Sequence, residues 1–101
     1  MQHKIEYTFK VRDRAVQEKD QELFLSTQKG EIEDSHSEGY MKNEKQDCEV
    51  LFTVQDEENS NLWVALVREN YFRDGNPTHH AYLIYKFIDE GGDPLITDIV
   101  Y

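Results

Sequence analysis

The chain has 101 residues, enough for one domain and too few for two. It is 38% hydrophobic and 32% charged with 12% aromatic residues, polar for a globular domain but too aromatic for disorder. The formal charge of -10 comes almost wholly from residues 17–58; such a field repels phosphate backbones and anionic headgroups, which argues against direct nucleic-acid or membrane-surface binding.

In chain order, HKIEYTFKV alternates Ile5, Tyr7, Phe9 and Val11 with Lys4, Glu6, Thr8 and Lys10. That is the period of a strand with one wet face. RDRAVQEKDQ holds helix formers but only Ala15 and Val16 as apolar residues, so at most one short helix is expected near residues 13–22. ELFLST, with Leu23 to Leu25 consecutive, is expected as a second strand.

Residues 30–47 read as a long acidic loop with the composition of a mobile segment. Ser35-His36-Ser37-Glu38-Gly39 is turn chemistry, and loops of this length are usually functional or disordered. CEVLFTVQ then alternates, with Cys48, Val50, Phe52 and Val54 expected on one face. LWVALVRE and AYLIYKFI are apolar on both faces, which marks strands buried on both sides and central in their sheet. Asp74-Gly75-Asn76-Pro77 and DEGGDP are turns, and LITDIVY closes the chain as a strand.

These elements predict a single, mainly β domain, with α+β as the alternative: about six antiparallel strands in a meander. Two central strands with two apolar faces need cover on both sides. The expected solutions are a small barrel, a sandwich or a curved sheet, then a homodimer or a partner packed on one face.

A single cysteine, Cys48, excludes an intrachain disulfide and a Cys-rich metal framework, and no base stands near it in sequence to make it a nucleophile. No Gly-rich phosphate loop, nucleophile elbow or His-Glu-x-x-His helix occurs, so no catalytic residue, metal or cofactor is assigned. The His79-His80 pair alternates faces in a strand and does not make a ligand pair. No long apolar run is present, and a cytoplasmic location is expected.

The favoured function is therefore a small non-catalytic binding protein that docks on, and in one version inhibits, a basic protein, as immunity proteins, antidotes and phage-encoded inhibitors do. A nucleic-acid mimic acting on a nucleic-acid-binding protein is the sharper form. The carboxylates Glu31, Glu33, Asp34 and Glu38 steer, while Tyr40, Met41, Tyr71 and Phe72 anchor. The rival is a small-ligand binder or enzyme in a β-barrel lined by Trp63, His80, Tyr82 and Tyr85.

Overall fold

The computed structural model describes residues 1–32 and 36–100. Glu33 and Asp34, two of the expected steering carboxylates, lie outside them. Three helices precede four strands: α1 (Gln2–Glu18), α2 (Gln21–Leu25), α3 (Ser37–Met41), β1 (Lys45–Gln55), β2 (Leu62–Arg73), β3 (Asn76–Ile88) and β4 (Leu95–Val100). The strands form one antiparallel sheet in the order β1-β2-β3-β4. The meander and the central positions of β2 and β3 match the sequence pattern, but the sheet is open and has four strands where about six, in a small barrel, sandwich or curved sheet, were expected.

The missing strands are helices. Ile5, Thr8, Phe9, Arg12, Ala15 and Val16 form the buried face of α1, a spacing of three and four residues. Ile5 and Phe9 fit both this spacing and the strand pattern, so the alternation was a coincidence of two periods. Tyr7, assigned by that alternation to the apolar face, is 61% exposed. Arg12 sits inside the buried stripe with no exposed surface, which hides the helix from any apolar count. ELFLST falls mostly in α2, which Asp20 caps by accepting the Leu23 N–H at 3.0 Å.

The helix α1 lies across one face of the sheet. Its Ile5 and Phe9 pack with Ala65, Val67, Leu83, Tyr85, Phe87, Ile96 and Ile99 in the main core. Phe9 meets Tyr85 edge-on at 4.7 Å and Phe87 at 6.0 Å. Each such side chain contributes roughly 1.5–3 kcal/mol when fully buried. A second cluster of Ala15, Val16, Phe24 and Tyr40 joins α1 to α2 and α3, with Leu23, Met41 and Tyr71 against it.

The two edges of the sheet are treated differently. At β4, Gln28 forms a parallel bridge with Ile96, Lys29 N–H donates to the Ile96 carbonyl at 2.9 Å, and Ile96 N–H donates to the Thr27 carbonyl at 3.0 Å. At β1 the cover comes from α1, described below. The segment expected as an eighteen-residue loop is shorter: α3 takes Ser37–Met41 and β1 begins at Lys45. Hairpin β2–β3 turns through Asp74 and Gly75, both with positive φ (54° and 77°), the geometry of a two-residue type I′ turn. No helix among the described residues is long and apolar enough to cross a membrane.

Candidate functional site

Three arrangements of chemically capable side chains stand out. The first is buried between α1 and the sheet. Glu69, with no exposed surface, points from β2 toward the helix side and accepts hydrogen bonds from three phenols: Tyr71 and Tyr85 at short range and Tyr40 at 3.2 Å. Arg12 enters the same region from α1. Its Nη1 donates to Thr27 Oγ1 at 2.8 Å and Gln28 Oε1 at 2.9 Å, and its guanidinium lies 3.9 Å from the Phe24 ring centroid. Burial and then the Glu69 charge push the Tyr71 phenol up. Burial likewise raises Tyr85, with Arg12 opposing it. Both stay protonated and serve as donors.

The second arrangement joins α1 to the edge of the sheet. Asp13 accepts the Cys48 backbone N–H at 3.0 Å and the Gln46 amide at 3.1 Å. Burial outweighs these donors and lifts the Asp13 carboxyl to about 6. The Cys48 thiol is pushed well up by burial and then by Asp13 and Glu69, so it is a poor nucleophile at neutral pH.

The third is a surface groove of about 320 Å³ between α1 and β1, lined by Glu6, Lys10, Cys48, Glu49, Val50 and Leu51. Two carboxylates and one ammonium ring an aliphatic floor. Around it the acidic segment is laid out along the molecule's edge: exposed Glu38 on α3, exposed Asp47 and Glu49 on β1, and exposed Asp56, Glu57 and Glu58 in the turn after it. The sequence pattern put Glu49 on a strand but Asp47 in a loop; β1, from Lys45 to Gln55, holds both.

The individual candidates separate. Glu31 is exposed and accepts from Ser37 N–H at 3.1 Å and from the Ser37 hydroxyl; these donors, then His36, hold its carboxyl below the usual range. Glu38 is exposed in the first turn of α3. Tyr40 is only 5% exposed, packed on Phe24 at 5.0 Å, so it is a core residue where a surface anchor was expected. Met41 and Tyr71 are half-buried against that same cluster. Phe72 is half-buried at the far end of β2, with Lys45 Nζ 5.4 Å from its ring centroid.

The barrel residues do not converge. Trp63 and Tyr85 face α1, whereas Tyr82, 54% exposed, and His80 stand on the opposite face of the same sheet. They share no cavity. Among the described residues no group of three or more His, Cys, Asp or Glu side chains is placed to hold a metal ion. Sequence reasoning missed Arg12, Asp13 and Glu69; only their contacts distinguish them from the many other charged residues. No protein-family description, curated protein or solved structure matches the chain.

Proposed function

We propose that this protein is a small non-catalytic docking module that binds a basic protein through its acidic β1 edge and blocks the surface it covers. The observation that carries the reading is the groove between α1 and β1, with Glu6 and Glu49 beside the apolar Val50 and Leu51. An arginine or lysine from a partner suits it: the carboxylates take the cationic head and the aliphatic floor takes the methylene stem. The exposed carboxylates of Asp47, Asp56, Glu57 and Glu58 extend the same sign of potential along the edge and steer the encounter. Inhibition follows if the covered surface is the partner's own working site. Nucleic-acid mimicry is a narrower form of the reading, since β1 itself presents only Asp47 and Glu49 as exposed carboxylates in regular spacing.

The test compares wild type, Glu6→Lys and Glu49→Lys as baits in a lysate of the source organism at low and high salt. A captured basic protein should be retained by wild type at low salt and lost by at least about tenfold with either variant. Thermal stability should stay within about 0.5 kcal/mol, as for ordinary surface changes. Undiminished capture by Glu6→Lys removes the groove as the contact surface.

A further inference from the structure

Among the described residues nothing covers the face of the sheet away from α1, and its composition is unlike that of a solvated face. A bulge between Val50 and Phe52 is responsible for part of this. Before it, Cys48 and Val50 pack toward the α1 core; after it, Phe52 and Val54 pair with Leu66 and Val64 on the open side. The sequence pattern put all four on one face, and the extra residue, Leu51, divides them. One consequence is an apolar row across all four strands: Phe52 beside Leu66, Leu66 beside Ile84, Ile84 beside Val100. Phe52 is 59% exposed, and Ile84 and Val100 are also exposed. Val54 and Val64 widen the row on one side and Tyr82 on the other.

We infer that this open face is a self-association surface, and that two copies of the chain pack sheet on sheet across it to form a dimeric β-sandwich with α1 on each outer side. Charge points to a second copy as the occupant. The registers put Lys45, Arg68 and Lys86 on this face with Asp47, Glu49 and Asp98, so it is formally neutral on a chain of net charge -10. The groups that repel another copy therefore lie mostly elsewhere, and a basic partner gains nothing from this face that the acidic edge does not offer better. Each cation also has anions in the same patch, which lets a twofold contact set plus against minus. The size is adequate. Three strands wide from Leu62 to Phe72 and four from Leu62 to Leu66, the face has a footprint of roughly 500 Å², so two copies bury about 1,000 Å², the lower bound for a specific interface. Sheets packed this way interleave their side chains over about 10 Å.

The association concerns the open face rather than the α1–β1 groove; Glu49 borders both, whereas Glu6 and Lys10 on α1 border the groove. Sedimentation velocity over a concentration series reads it directly. Wild type should pass from monomer to dimer in the micromolar range, while Phe52→Asp and Ile84→Lys should weaken association at least about tenfold with unchanged circular dichroism. Oxidative footprinting of wild type supplies a readout that needs no variant: Tyr82 should lose reactivity as concentration rises, whereas Tyr7, 61% exposed on α1, should not. A wild type that stays monomeric up to roughly 100 µM, or a dimer in which Tyr82 keeps its full reactivity, overturns the inference.

Discussion

Asp13 accepts the backbone N–H of Cys48 at 3.0 Å, so a carboxylate from α1 caps the donor that β1 turns away from β2. An edge strand with free donors invites another strand to pair with it. Here one such donor is taken by the chain's own helix, and the same carboxylate also holds the Gln46 amide. The contact fastens α1 to the sheet and blunts the edge together.

The position of Asp13 makes stability depend on pH in a particular direction. Burial raises its carboxyl from 3.8 to about 6, so the folded state holds this proton more tightly than the unfolded chain does. The group's favourable contribution is full below 3.8 and is lost as pH rises through about 6. At about 1.4 kcal/mol per unit, the loss is at most about 3 kcal/mol. Asp13→Asn should therefore gain stability relative to wild type as pH rises from 4 to neutrality. Thermal melts of both proteins at a series of pH values measure this difference, and a difference that does not change with pH contradicts it. Glu31 titrates with the opposite sign, its stabilisation being lost on acidification, but it is common to both proteins and cancels.

The hairpin between β2 and β3 gives a second expectation. Gly75 has φ of 77°, where a side chain is strained whatever the space around it. Its N–H and that of Asp74 both point at the Glu44 carboxylate, at 3.3 and 2.6 Å. Gly75→Val should cost about 1–2 kcal/mol through backbone strain alone, and Glu44→Ala about 0.5–1 kcal/mol through lost hydrogen bonds at an exposed site. Urea midpoints read both; equal stability of Gly75→Val and wild type would show that the turn relaxes to another type.

What could be read from the sequence and what could not divides along physical lines. The strands β2 and β3 were legible because Leu62 to Val67 and Tyr82 to Ile88 are apolar on both faces, a pattern only central strands require. The helix α1 was not, since its buried stripe contains Arg12 and its Ile5 and Phe9 satisfy a strand's alternation equally well. The bulge at Leu51 leaves no compositional mark, yet it decides which face receives Phe52 and Val54. Tyr40 looked like a surface anchor amid carboxylates because sequence neighbours suggested solvent; its spatial neighbours are Phe24 and Glu69.

Cys48 offers a third check. Its thiol is pushed up by burial and by the nearby charges of Asp13 and Glu69, and both effects oppose the thiolate. Reaction with a disulfide reagent at mildly alkaline pH should be slow for the folded protein and complete at one thiol per chain on unfolding. Fast modification of the folded protein would mean that the α1–β1 groove admits the reagent to the thiol.

The phenol cluster on Glu69 leads to the strongest stability prediction. Removing the carboxylate takes away the acceptor to which Tyr85, Tyr71 and Tyr40 donate, and the buried Tyr85 hydroxyl then has the Tyr40 hydroxyl, at 3.3 Å, as its neighbour. Taking the acceptor from a buried donor costs about 1–3 kcal/mol per donor, more than the net value of the intact contact, because the remaining polar atom stays desolvated. Glu69→Ala should reach that range. Glu69→Gln should fall between it and wild type, since one carbonyl oxygen cannot accept from three phenols and the amide introduces donors of its own. Tyr71→Phe should cost only about 1 kcal/mol, because Tyr71 is half-buried and water can reach part of what it leaves. Urea unfolding with a constant slope would rank the three. If Glu69→Ala comes within about 1 kcal/mol of wild type, the buried carboxylate is not what holds the three tyrosines.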